Sequence, residues 1–201
     1  MAVSQSKRLP LMGAAERLIL QTEIVEDPWN YGNLPKTHVK FSFQQDVGFL
    51  VELQCYETGM RAVNQEPDSP VYEDSCMECF LNFYPEESDR YLNFEVNSCG
   101  TMLCQVGTGR TDRTFIRDMG MEQPTVEVEK TEDDWKICYR IPCTLIAQIY
   151  GHSDFRIGHK LRGNFYKCGD LTPHIHYGCW NRIEAPTPNY HLPQFFGELV
   201  I

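Results

Sequence analysis

The sequence predicts an all-β protein, an antiparallel β-sandwich of jelly-roll type with an N-terminal arm. Three observations carry this. Apolar residues recur every second position through much of the chain, the period of a half-buried strand. Aromatic residues make up 12% of the 201 residues, and 12 Pro and 14 Gly provide turns at short spacing. Only one short segment has a helical look, so strands must supply the core, and the length suits one domain.

Taken in order, residues 1–37 are mixed in character and predict an arm packed on the same domain, with 38–201 forming the sandwich. Ala14 to Ile24 fits either a short helix or a strand, and the run from Asp27 to Asn33 is turn-rich. From Val39 the two-residue period takes over: Phe49, Val51, Leu53 and Cys55 alternate with Leu50, Glu52, Gln54 and Tyr56, after a hairpin turn at Asp46-Val47-Gly48. Asn64 to Pro70 is a polar loop. Met77, Cys79, Leu81 and Phe83 then alternate with Cys76, Glu78, Phe80 and Asn82. Leu92, Phe94 and Val96 face away from Tyr91, Asn93, Glu95 and Asn97, which form a polar ladder on one sheet face. A turn at Ser98 to Thr101 leads into a strand to Gly107, and 107–120 reads as a charged loop. Strands at Thr125 to Lys130 and Trp135 to Ile141 flank an acidic turn. Pro142 ends the second, Thr144 to Tyr150 predicts one short helix, and strands at Leu161 to Lys167 and Gly197 to Ile201 complete the set.

A net charge of -10 argues against nucleic acid and anionic membrane as partners, since both attract clustered Lys and Arg, whereas a neutral ligand meets no such penalty. No window reaches the roughly 18 apolar residues of a membrane span, and Met1 to Pro10 lacks the apolar core of a signal peptide. With Met1 as the natural start, the expected location is cytoplasmic. Nine scattered cysteines read as reduced thiols rather than a disulfide framework, although a trimmed secreted module would show the same features.

Several groups have the residue types of a site. Cys76-Met77-Glu78-Cys79 has zinc-type spacing, but on a strand its two sulfurs point to opposite faces and cannot share a metal. His174-x-His176 on extended backbone shares a face and would suit a metal-dependent enzyme, yet the next carboxylate is as far as Glu184. Glu78 and Glu95 are candidates for a glycoside-processing acid pair, a chemistry that requires a set separation. Glu73 and Asp74 offer hard oxygens for a structural calcium; no other cofactor is expected and the metal ligands stay unassigned. The favoured constellation is Tyr72, Glu78, Asn93, Glu95, Asn164, Lys167, His176 and Trp180. Sugar rings present apolar C–H faces and hydroxyl edges, so aromatic platforms with charged and amide partners match them.

Phrases along the chain resemble the family 9 carbohydrate-binding modules and the shorter family-9-like bacterial sugar-binding domains. They are Val71-Tyr72-Glu73-Asp74-Ser75-Cys76-Met77-Glu78-Cys79-Phe80-Leu81-Asn82, Asn93-Phe94-Glu95-Val96-Asn97, Trp135-Lys136-Ile137 leading to Arg140-Ile141-Pro142, Gly163-Asn164-Phe165-Tyr166-Lys167, and His191-Leu192-Pro193 with Phe196-Gly197-Glu198-Leu199. The resemblance implies a β-sandwich that binds a mono- or oligosaccharide without catalysis, between two aromatic rings. Carried over by position, these are Tyr72 and Trp180, with Glu78 as the strand glutamate and a basic group at Arg162 or Lys167. It also implies structural calcium.

Overall fold

A computed structural model describes residues 16–201. In chain order the strands are β1 (Arg17–Ile24), β2 (Lys36–Gln44), β3 (Gly48–Tyr56), β4 (Cys76–Asn82), β5 (Tyr91–Asn97), β6 (Met102–Gly107), β7 (Thr114–Phe115), β8 (Val126–Lys130), β9 (Trp135–Pro142), β10 (Lys160–Cys168), β11 (Tyr177–Cys179) and β12 (Gly197–Val200). The single α-helix, α1 (Cys143–Tyr150), follows β9 directly. The first sheet runs β1-β2-β3-β9-β8 and the second β11-β10-β4-β5-β6-β7, with β12 also paired to β10. Every ladder is antiparallel. No helix of the described residues is long and apolar enough to cross a membrane.

The alternating residues meet between the sheets. Phe49 of β3 is fully buried, with ring centroids 5.4 Å from Phe41, 4.8 Å from Phe43, 5.1 Å from Phe83 and 4.9 Å from Phe155. Each such side chain contributes about 1.5–3 kcal/mol on leaving water. The β2–β3 hairpin lies so tightly on β9 that a Cβ at Gly48, whose φ is 140°, would stand 2.1 Å from the Ile141 carbonyl oxygen. Only glycine fits that turn.

The arm is more integral than the sequence suggests. Arg17–Ile24 is a strand in register with β2, so the expected boundary after residue 37 falls inside that element. Ala14 and Ala15 lie outside the described residues. Beyond β1 the chain crosses to the second sheet, where Glu26 bridges Cys179 and the Trp29 indole N–H donates to the Ala185 carbonyl at 2.9 Å. The expected loop at 107–120 contains the short β7 and a 3-10 turn at Ile116–Met119.

At its centre the second sheet is buried on both faces: all seven residues of β4 and all seven of β5 are buried. Its inner face joins the main core. Its outer face carries Phe80, Tyr91, Leu103 and Tyr166 beneath a cover that includes Ile183, Tyr190 and Phe196. Tyr190 stacks on Tyr166 at 4.0 Å and 10°.

Lys167 of β10 points inward and is completely buried. Its Nζ lies 3.2 Å from a Glu57 carboxylate oxygen, 2.7 Å from His176 Nε2 and 2.9 Å from the Cys168 carbonyl. His176 Nδ1 lies 2.7 Å from the His174 carbonyl and must carry the proton there, leaving Nε2 to accept from the ammonium. Burial, then the Lys167 charge, push the His176 pKa down to about 4, which keeps the ring neutral. Burial pushes the Glu57 carboxyl up, but the Lys167 charge and the Ser75 hydroxyl outweigh it and hold its pKa low. Removing one member strands the other charge, so Lys167→Met is expected to cost about 3–5 kcal/mol in urea unfolding. The double variant Lys167→Met/Glu57→Gln is expected to recover part of that loss.

Candidate functional site

Over the outer face of the second sheet opens a cleft of about 930 Å³. Its floor is the polar ladder. Glu78 of β4 stands directly opposite Glu95 of β5, and both are nearly inaccessible, at 2% and 4% exposure. Asp170 and Asp68 add carboxylates to the lining, Arg110 and Arg113 supply cations, and Asn189, His191 and Gln105 supply further polar groups. Tyr31, Tyr72, Tyr177 and Phe115 bring aromatic surface.

These side chains converge because paired residues of an antiparallel ladder share a face. Cys168 pairs with Tyr177 and Tyr166 with Cys179, so Tyr177 stands on the cleft side of the second sheet. Tyr72 lies on a 3-10 turn, Val71–Glu73, just before β4, held by the Asp170 N–H donating to the Tyr72 carbonyl at 3.1 Å. The residue is 40% exposed and its ring has no aromatic partner among the described residues, which leaves it open to a ligand. Tyr31 meets Tyr177 edge-on at 5.1 Å.

Arg113 organises the other wall. Its guanidinium sits 4.3 Å over the Tyr91 ring, donates to the Asn93 side-chain oxygen, and donates to the Tyr91 and Gln105 carbonyls, each at 3.2 Å. Asn93 passes the link on, its amide donating to Glu95 at 2.8 Å. Burial pushes the Glu95 carboxyl up to about 7 against this hydrogen bond and the Arg113 charge. Burial, then the adjacent Cys168 and Glu95, push Glu78 well above the ordinary carboxylate value. A neutral carboxyl both donates and accepts a hydrogen bond, as a hydroxyl does.

Of the residues expected from sequence, the structure brings Tyr72, Glu78 and Glu95 together in the cleft lining, with Asn93 directly behind Glu95. It places the remaining five elsewhere. Trp180, one step past Cys179, falls on the opposite face and packs its ring 6.0 Å from Phe165 of the main core. A Cβ at Gly197 would come within 2.7 Å of the Trp180 ring, so glycine there lets the indole lie flat against the strand. Asn164 clamps Asn181, donating to its carbonyl at 2.8 Å and accepting from its N–H at 2.9 Å. Arg162 donates to the Phe196 carbonyl at 2.8 Å. Lys167 and His176 belong to the inward cluster. Period two along β10 separates Lys167 from Tyr166 and Cys168, a signal present in the sequence.

His174 is exposed while His176 is buried, so the two rings do not share a face. The Asp74 carboxylate, considered for calcium, accepts from the Val63 and Asn64 N–H groups, the Asn97 amide and the Arg61 guanidinium. Donors fill its oxygens. Cleft residues missed from sequence include Tyr31, Arg110, Arg113, Asp170, Tyr177 and Asn189, contributed by loops and a short edge strand with no period to mark them.

The sequence matches the family described as Carbohydrate-binding family 9 over residues 10–201. Among solved structures the fold is similar to a candidate carbohydrate-binding protein from Bacteroides uniformis ATCC 8492, at 27% identity and a TM-score of 0.74, covering 90% of this chain and 85% of that one. It is also similar to a carbohydrate-binding module of family 9 from Caldicellulosiruptor kristjanssonii in complex with cellotriose, at 14% identity, a TM-score of 0.61, and coverage of 90% and 80%. The same description with glucose gives 13% identity, a TM-score of 0.63, and coverage of 89% and 82%. No curated protein matches the sequence.

The Glu95 environment predicts a pH dependence. Between its ordinary value of 4.5 and about 7, the folded chain keeps a proton that the unfolded chain has released. The resulting stabilisation is full below the lower value and is lost as pH rises through the upper one. Comparing urea midpoints at pH 4 and pH 8, Glu95→Gln is expected to gain on the unsubstituted chain at the higher pH, on the order of 2–3 kcal/mol.

Proposed function

The chain belongs to carbohydrate-binding family 9, and from that footing we propose that it holds a mono- or oligosaccharide, without transforming it, in the cleft over its second sheet. The observation that carries this is the pairing of the free, exposed Tyr72 ring with the buried carboxyl floor of Glu78 and Glu95 in one 930 Å³ space. A pyranose laid on Tyr72 covers its apolar C–H face, and its hydroxyls reach carboxyls, Arg110 and Asn189 around the edge. The Tyr31–Tyr177 pair provides the second aromatic surface in place of Trp180. The relatives solved with glucose and cellotriose support glucose-containing glycans as the first ligands to try.

Binding rather than catalysis is supported by the match to a family of carbohydrate-binding modules. As to location, the nine cysteines are all free, which supports the cytoplasmic reading.

Isothermal titration with glucose, cellotriose and a wider glycan panel tests the site. One small ligand offers little area, so millimolar to micromolar affinity is expected. Tyr72→Ala and Tyr177→Ala are each expected to weaken binding about tenfold, roughly 1.4 kcal/mol. Trp180→Ala is expected to lower stability by about 2–4 kcal/mol through lost packing while the folded protein keeps its affinity. Lost binding in Trp180→Ala with none lost in Tyr72→Ala would return the stacking role to the indole.

A further inference from the structure

The cleft floor holds a second chemistry. We propose that Cys76, Glu78 and Cys168 form a site for a thiophilic divalent cation of the zinc class, with the fourth coordination position opening into the cleft.

The register builds this group. Cys76 and Cys168 face each other directly across the β4–β10 ladder, and Glu78, two residues along β4, shares their face. This is the opposite outcome from Cys79, which the same alternation turns into the main core. One ligand atom from each of Cys76, Glu78 and Cys168 lies within 4.8 Å of the others, and all three residues are buried. A tetrahedral shell with bonds of about 2.3 Å to sulfur and 2.0–2.2 Å to oxygen has edges of roughly 3.5–3.8 Å. Small side-chain rotations close the difference. The Cys168 thiol already donates to Glu78 at 2.9 Å, so a cation would replace a shared proton between groups that are in contact.

No ion pair competes for Glu78. Glu78 faces Glu95, Asp170 lines the same cleft, and none of the three carboxylates has an ion pair among the described residues. Lys167, the neighbour of Cys168, is spent on the inner face with Glu57. Arg113 is committed to Asn93 and backbone carbonyls. No side-chain cation among the described residues is paired with Glu78, so a dication meets no competitor there. On binding, both thiol protons and the proton held by Glu78 leave to solvent, so an ion bound by two thiolates and one carboxylate carries a single net negative charge and is held more tightly as pH rises. Glu78 and Cys168 line the cleft while Cys76 sits behind them, fully buried. Three protein ligands with one open position is the arrangement of an exchangeable site, and water or a sugar hydroxyl would take the fourth place. The ion needs no sugar to bind.

The test titrates the full chain, reduced and stripped of metal, with Co²⁺ and then Zn²⁺. One equivalent of Co²⁺ is expected to produce a thiolate-to-metal charge-transfer band, which one equivalent of Zn²⁺ abolishes, and Zn²⁺ is expected to raise the melting temperature. Cys76→Ser and Cys168→Ser should each weaken Zn²⁺ at least tenfold and remove the band, Glu78→Gln should weaken it while keeping the band, and Cys99→Ser, at an exposed turn, should change nothing. The absence of a band and of stoichiometric zinc in the unsubstituted chain overturns the proposal, as does full affinity in the Cys76→Ser/Cys168→Ser variant. Recovery of Cys76 and Cys168 as a cross-strand disulfide overturns it too. Should a serine variant fail to fold, the charge-transfer band of the unsubstituted chain decides alone, because it reports sulfur ligation directly.

Discussion

Side chains on β10 alternate between two environments, and the rest of the molecule is arranged around that alternation. Phe165 and Lys167 enter the space between the sheets, while Asn164, Tyr166 and Cys168 stand on the outer face. A one-residue slip would carry the ammonium to the outer face and a tyrosine into the phenylalanine core. The ladders to β4, β11 and β12 hold the register from both sides. Lys167 reinforces it, because its Nζ finds Glu57 and His176 only when the strand sits as observed.

Burial of both faces of the second sheet gives the cleft a rigid base. Its outer face rests under a cover tied down by Tyr190, whose hydroxyl lies 3.2 Å from the Lys167 carbonyl and 3.1 Å from that of Gly178. Asn164 and Arg162, expected at the ligand, instead fasten the segments that frame it, through Asn181 and Phe196. Polar groups on this face are therefore divided between holding the frame and lining the opening. Glu78, Glu95 and Asp170 have no ion pair among the described residues, Arg113 being engaged by carbonyls and by Asn93. Burial then favours the protonated carboxyl, and a floor of neutral acids is suited to hydroxyl-rich ligands.

Much of the fold was legible in the sequence. The long strands with clean alternation, β3 to β6 and β9, appear within a residue or so of where the pattern puts them, since burial of one face writes itself as a period of two. The ladder of Tyr91, Asn93, Glu95 and Asn97 was likewise visible, and the buried carboxyl pair lies on its face. The short β7 was not apparent, and the sequence of β1 fits either a strand or a short helix. One has two residues, and the other is an edge with a half-exposed pattern and a register shift between Leu18 and Leu20.

The sequence by itself determined the sandwich, its family and the floor of the cleft, because alternation and local spacing are properties of consecutive residues. Only the tertiary structure decided which aromatic rings share that cleft. Tyr177 opens the short edge strand β11 and Trp180 directly follows its last residue, so they fall on opposite faces, and nothing local says which face the cleft will use. That depends on the pairing of β11 with β10, and the positions of Tyr31 and Arg113 depend on loops brought in from distant parts of the chain.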